Sequence, residues 1–296
     1  MRFLRALKYE LVKNLRKKRT FWAFVAIAAL VSILLTAYTA TRWNPVTYYA
    51  KGLGGVRRAL VMKAVDECAN GALFATLFMG LLSFALLPVL AVAFGGELIS
   101  SEIQLGTLRT ALTRPVTRLG YYTTKYAYAA IITLGFVLFT ALFTYGLGVA
   151  FLGRGPLLAP AAFLRPSFAA QFSGVTQPLS EQTAFVRYLV AYLLVALAVM
   201  TMTTLSLTLS TVVKHTGAAM IIAISLYFIL HILTMTPWLE SWRPYLFVSK
   251  MDYWVPVFTA DPPSGEIWRT VAYFAVYNAA LFAVGLAVFL RRDIQC

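Results

Sequence analysis

Six long apolar runs constrain this chain more than any other feature of its sequence. They occupy residues 21–40, 72–94, 126–152, 188–213, 218–236 and 268–290. Each has about the 20 residues that a helix needs to cross the ~30 Å hydrocarbon core of a bilayer. The chain is 60% hydrophobic and 12% charged, whereas about 25% of residues are charged in soluble domains. The sequence therefore predicts an all-α integral membrane protein, with one domain of six transmembrane helices over residues 21–296.

Residues 1–20 form a basic leader that is predicted to be an interfacial amphipathic helix. Leucines recur at intervals of three and four, at Leu4, Leu7, Leu11 and Leu15, and basic residues fill much of the remaining arc. This pattern is typical of a helix that lies along the headgroup region. A leader that only sets orientation would need the charge but not the leucine spacing. The apolar run that follows exceeds the about 7–15 residues of a signal peptide, so we expect a retained first span.

The basic residues predict orientation rather than nucleic-acid binding. The formal net charge is +15, but most Lys and Arg residues lie at the ends of apolar runs, where they contact lipid headgroups and set topology. Eight of the 26 lie in the first 20 residues. Six spans put both termini on one side, and the positive-inside rule makes that side cytoplasmic. We expect a multi-pass protein of the plasma or inner membrane with cytoplasmic termini.

The polar segment 95–125, between the second and third apolar runs, is predicted to leave the membrane as a folded elbow. Ser100 and Ser101 suit the start of a helix, and Pro115 would end it. Thr117 suits the N-cap of the next helix, which would continue into the third span. Helix, proline break and helix together indicate a coupling-type helix on which a soluble partner acts. An ordinary cytoplasmic loop would show the same caps, so these patterns alone leave both interpretations open.

Residues 97–118 resemble the cytoplasmic loop of type-2 ABC transporter permeases, the ABC-2 membrane family. The resemblance lies in an initial glutamate, Glu97, then Gly-Thr-Leu-Arg at 106–109, then an Arg-Pro step and a closing arginine, Arg118. The basic leader and the Ser/Thr-rich stretch 209–218 are similar too, so the resemblance extends over nearly the whole chain. It implies an export permease subunit that pairs with a second permease subunit, identical or different.

The resemblance also implies that two cytoplasmic ABC ATPase subunits, which bind ATP and Mg, dock on the cytoplasmic loop 95–125. The residues it assigns to ATPase coupling are Glu97, Glu102, Gly106, Thr107, Leu108, Arg109, Leu112, Arg114, Pro115 and Arg118. Arg109, Arg114 and Arg118 would meet acidic residues of the partner, with Leu108 and Leu112 as apolar anchors. No Gly-Lys pair occurs in the chain, so it lacks the phosphate-binding loop of nucleotide-hydrolysing subunits. We expect no enzyme activity, cofactor or metal in this chain itself.

A weaker prediction concerns the translocation path. The fourth run is rich in hydroxyls, and candidate path residues are Thr204, Thr208, His231 and Asn278. Hydrogen bonding between packed helices explains such residues equally simply, and we favour it. The runs carry no acidic or basic residue at mid-depth, which disfavours a proton- or sodium-coupled transporter.

An alternative function is a membrane anchor or assembly subunit. Such a subunit would transport nothing and would recruit a cytoplasmic partner through the same elbow. An intramembrane enzyme is disfavoured, because no paired carboxylates or nucleophile–base set stands out in the spans.

Overall fold

The computed structural model describes residues 2–41, 70–108, 117–157, 179–236, 238, 240–259 and 261–292. An N-terminal helix, Arg2–Leu15, precedes six helices that are long and apolar enough to cross a membrane. These spans are Lys18–Thr41, Gly71–Gln104, Arg118–Leu152, Glu181–Val212, Thr216–Met235 and Ser264–Arg291. In the described part of the connection between the fifth and sixth spans there are three short 3-10 helices: Arg243–Tyr245, Phe247–Lys250 and Val255–Phe258. The predicted all-α, six-span membrane fold is confirmed.

Successive spans run in opposite directions, so the bundle has two ends. The terminal face carries the N-terminal helix, the end of the second span and the C-terminal end of the sixth. The opposite face carries the connections near Asn70, Gly153 and Ser180. At the opposite face the Gly71 amide donates to the Gly153 carbonyl at 3.0 Å, and Asn70 donates to the Pro156 carbonyl at 2.7 Å.

The spans that flank the polar segment are longer than their apolar runs. The second span stays helical to Gln104, because no further proline follows Pro88 in it and its two glycines, Gly95 and Gly96, are packed against neighbouring helices. Gly106 ends it with a φ of 68°, a left-handed conformation that favours glycine. The prediction that Ser100 and Ser101 start a new helix is wrong. Both lie inside the second span, and their hydroxyls donate to carbonyls one turn earlier in the same helix.

The third span begins where its sequence predicts. The Thr117 side chain accepts the amide of Gly120 at 3.1 Å, so Thr117 is the N-cap of the helix that starts at Arg118. Residues 109–116, which hold the predicted proline break, lie outside the described residues.

Pro88 leaves an irregularity in the second span that a neighbouring helix compensates. A proline has no N–H to donate to the carbonyl four residues earlier, and here that carbonyl belongs to Phe84. The turn Leu82–Leu86 is π-helical, and the Phe84 carbonyl accepts the hydroxyl of Tyr227, in the fifth span, at 2.7 Å. The second span is thereby bonded to the fifth at its π-helical turn.

The fourth span is the centre of the bundle. In its most apolar stretch 78% of the residues are buried, against 17% in the fifth span, and it packs on the second, third, fifth and sixth spans. A Cβ on Gly95 would lie 2.5 Å from the Thr203 carbonyl, so only glycine permits this approach between the second and fourth spans. Ser206 donates to the Val92 carbonyl at 2.7 Å beside it.

Candidate functional site

Three polar side chains in the last turns of the second span each bond a different part of the protein. Glu97 pairs with Arg19 at the start of the first span. Glu102 bonds the N-terminal helix and the third span. Gln104 accepts both the amide and the hydroxyl of Thr216, at 3.3 and 3.0 Å. The second span therefore ends in a hub that reaches four other helices.

Lys125 of the third span is the centre of a buried ionic network. Its ammonium lies 2.7 Å from a carboxylate oxygen of Glu10 and 2.6 Å from one of Glu102. Lys13 reaches the same Glu102 oxygen at 2.8 Å, and the Tyr121 hydroxyl donates to the other. The Lys125 side chain is 3% exposed. Two ammonium groups thus face two carboxylates, and the cluster is neutral as a whole.

The N-terminal helix is attached through its polar residues. Glu10 and Asn14 are buried, and the Asn14 amide donates to the Glu10 carboxylate at 2.8 Å. Leu7 and Leu11 pack beside them, while Leu4 and Leu15 stay exposed. Thr20 donates to the Asn14 carbonyl at 2.8 Å, which joins this helix to the first span. The ionic network and the flanking leucines therefore fix the helix on the bundle.

Two lysines of the N-terminal region have shifted pKa values of opposite direction. Burial lowers the pKa of Lys13, but the hydrogen bond to Glu102 and the Glu10 charge outweigh burial, and the pKa lies above its ordinary value. Burial, together with the charges of Arg19, Lys13 and Lys125, lowers the pKa of Lys17 to about 8. A local opposite charge separates the two cases.

Two arginines join the C-terminal end of the sixth span to its neighbours. Arg118 donates to the carbonyls of Leu290 and Arg292, at 3.0 and 3.1 Å. Arg292 in turn donates to the Thr211 carbonyl at the end of the fourth span. These guanidinium groups satisfy carbonyls that have no partner within their own helix ends.

The terminal face gathers the predicted coupling residues that the structure describes. Glu97 and Glu102 form the internal ion pairs given above, and Gly106 ends the second span. Thr107 is exposed, whereas Leu108 is 4% exposed and thus buried. The remaining predicted residues, Arg109, Leu112, Arg114 and Pro115, lie outside the described residues. The coupling role of the whole set stays a prediction.

Three of the four predicted path residues meet between the fourth and sixth spans. Thr204 donates to the Asn278 side-chain oxygen at 2.8 Å, and the Asn278 amide donates to Thr201 at 2.9 Å. Thr208 donates to the Leu281 carbonyl at 3.0 Å. His231 lies apart from them on the fifth span, with its ring 4.7 Å from that of Phe84. The hydrogen bonds of the first three join helices to one another.

Sequence reasoning missed several residues of the hub, its bonding partners and the ionic network: Glu10, Lys13, Arg19, Gln104 and Lys125. One signal was present for the N-terminal helix. Glu10 and Asn14 fall on the same arc as Leu7 and Leu11 at helical spacing, so two polar residues interrupt the face that packs inward. A buried acid on a basic helix requires a cation from elsewhere.

Two comparisons with known proteins bear on the family of this chain. None of the curated proteins compared matches the chain. The family model described as ABC-2 family transporter protein matches residues 7–294, and this range includes Glu10, the ionic network and all six spans. The family resemblance predicted from the sequence is thereby confirmed, and the chain belongs to the ABC-2 family of transporter proteins.

Proposed function

We propose that this membrane subunit of an ABC transporter works as an exporter driven by separate ATPase subunits, which dock on residues 105–117 at the terminal face. The ATPase subunits would bind ATP and Mg. The terminal face is then cytoplasmic, in agreement with the basic leader. Export and pairing with a second permease subunit are proposed from family resemblance.

The hub at the end of the second span is the observation that supports this proposal. Glu97, Glu102 and Gln104 immediately precede the docking loop, and they bond the first span, the N-terminal helix, the third span and the fifth span. A push on the loop displaces the end of the second span first. The same displacement acts on four other helices through these bonds.

The cap on the fifth span makes this connection specific. Thr216 begins the fifth span, and its N-cap residue, His215, makes no side-chain hydrogen bond to the helix. Gln104 supplies the missing acceptor from another helix. An orphan amide at a helix start needs such a partner. Displacement of Gln104 therefore either carries the start of the fifth span along or removes its cap.

The test is co-purification of the membrane subunit with its ATPase subunits, followed by an ATP turnover assay. The variant Arg109→Glu with Arg114→Glu reverses two loop charges. We expect it to lose co-purification and the change in turnover that the membrane subunit causes. The matched control is Arg243→Glu with Arg269→Glu, since both arginines are exposed at the opposite face.

Two results would contradict the proposal. If the loop variant co-purified with the ATPase subunits as well as the wild type does, the docking site would lie elsewhere. Normal docking of the wild-type chain with no effect on ATP turnover would favour the anchor function instead. Direction is measured in proteoliposomes with ATP supplied at the terminal face: an exporter moves substrate away from that side.

A further inference from the structure

A cleft opens between the third and fourth spans at the opposite face, at the other end of the bundle from the hub. Its volume is about 500 Å³. The described residues that line it are Tyr145, Val149, Arg154, Glu181, Gln182 and Phe185. The third span ends at Leu152 and the fourth begins at Glu181. The charged part of the cleft therefore lies at the helix ends, and its aromatic part lies about one to two turns deeper.

Opposite charges stand at the mouth of the cleft. The Arg154 Nε and a Glu181 carboxylate oxygen are 3.6 Å apart, and the two side chains are 75% and 42% exposed. This distance exceeds that of a charge-assisted hydrogen bond. An exposed pair of this kind contributes little stability. Arg154 and Glu181 can accordingly give up their bonds to water and to each other and bind a ligand that carries both charges.

The deeper wall of the cleft is aromatic and held in place. The rings of Tyr145 and Phe185 are 4.8 Å apart, and Tyr188 packs behind Tyr145 at 5.5 Å. Tyr188 is buried, and its hydroxyl donates to the Ala141 carbonyl at 3.0 Å. The wall continues into the apolar surface of the spans, where Leu142 and Val186 are exposed. An acyl chain would find continuous apolar contact along this surface.

We propose that this cleft binds a membrane phospholipid whose headgroup carries a primary ammonium beside its phosphodiester. The Arg154 guanidinium matches a phosphate, since its fork donates two parallel N–H bonds. The Glu181 carboxylate accepts N–H bonds from the ammonium. The acyl chain lies on Tyr145, Val149 and Phe185. Aromatic residues at a membrane boundary suit this level of the bilayer.

The two charges also predict selectivity among lipids. A choline headgroup has no N–H to donate to Glu181. A glycerol headgroup is anionic as a whole, so it sets a phosphate near Glu181 without a cation to compensate. An ethanolamine phospholipid matches both side chains. We therefore expect it to be retained over phosphatidylglycerol by about tenfold, the equivalent of ~1.4 kcal/mol.

The experiment uses the full chain in nanodiscs of equal phosphatidylethanolamine, phosphatidylcholine and phosphatidylglycerol content, with retained lipid measured by native mass spectrometry. Glu181→Gln should abolish the preference for the ethanolamine lipid and keep phospholipid binding. Arg154→Gln should weaken all three lipids. Glu266→Gln is the matched control, because Glu266 occupies the first turn of the sixth span as Glu181 does that of the fourth.

The outcomes separate clearly. Equal retention of the three lipids by the wild type overturns the proposal, and so does an unchanged preference in Glu181→Gln. Soluble glycerophosphoethanolamine that displaces the lipid at equal concentration would identify a free headgroup ligand and overturn the lipid assignment. Circular dichroism of each variant checks folding. The site is independent of ATPase docking, so neither proposal stands or falls with the other.

Discussion

The terminal face and the middle of the bundle are held together by different chemistry. At the terminal face, Lys125 makes charged bonds to Glu102 on the preceding span and to Glu10, 115 positions earlier in the chain. In the middle, Thr204 and Asn278 make neutral hydrogen bonds, and backbone approaches closely at Gly95. Neutral bonds between spans are worth about 0.6 kcal/mol on average, whereas breaking a buried ion pair costs about 3–5 kcal/mol.

The difference agrees with the proposed division between a part that holds shape and a part that transmits movement. The fourth span is surrounded on most sides and bonded by many weak contacts, so its neighbours are held in a fixed packing. The N-terminal helix depends on a few strong bonds around Lys125. A few strong contacts can be broken or exchanged together, which suits a region that responds to a docking partner.

Removal of the Lys125 charge is the strongest test of this comparison. Lys125→Met leaves Glu10 and Glu102 facing each other without their common cation. We expect a loss of about 3–5 kcal/mol in the free energy of unfolding, together with protease sensitivity of the N-terminal helix. Unfolding in SDS measures the first, and limited proteolysis the second. Lys18→Met, at an exposed position, is the control; an equal loss in both variants would refute the special weight of the network.

Loss of the Asn278 amide should cost less. Asn278→Leu removes bonds to Thr204, Thr201 and the Phe274 carbonyl, and we expect about 1–2 kcal/mol. The same SDS unfolding assay measures it, with Val276→Leu on the exposed face of the same helix as the control. A cost above that of Lys125→Met would reverse the comparison.

A single hydroxyl pair should cost least among the packing contacts. The hydroxyls of Thr133 and Thr203 lie 2.8 Å apart between the third and fourth spans. Thr133→Val keeps the shape and is expected to lose about 0.6 kcal/mol. Thr123→Val on the same helix is the control, because the Thr123 hydroxyl bonds only carbonyls of its own helix. If Thr133→Val lost several kcal/mol in the free energy of unfolding, a single neutral contact would matter as much as the ionic network, which would contradict the comparison.

The Lys17 amine gives a smaller, pH-dependent signal at the terminal face. The pKa of Lys17 is lowered from 10.5 to about 8 when the N-terminal helix is packed on the bundle. Between these pH values Lys17 therefore binds fewer protons in the packed state than in the detached state. Packing of the N-terminal helix on the bundle is therefore favoured as pH rises through this window. At pH 8 the amine is about half neutral, so pulse acylation should label Lys17 before Lys18. Peptide mass spectrometry measures both rates, and slower labelling of Lys17 would contradict the shift.

The sequence predicts local features well and distant pairings poorly. Apolar runs of bilayer length identify the six spans, and Thr117 identifies the start of the third because a cap depends on residues three positions away. Lys125 and Glu10 are 115 positions apart, and no local period links them. The end of the second span was also misplaced, because Ser100 and Ser101 suit a cap but bond within a continuing helix.

The spacing of Glu97, Glu102 and Gln104 on one helix has a consequence for how the gene can vary. Each inserted residue turns the rest of an α-helix by about 100° and advances it by ~1.5 Å. One codon added between Glu97 and Glu102 would therefore separate the partners of Arg19 from those of Lys125 and Thr216. Reading-frame-preserving insertions are harmless in many connecting segments, but in this helix the register determines which neighbouring helices are bonded. Length polymorphism should be absent between these three residues, while side-chain substitutions on the lipid side of the same helix are tolerated.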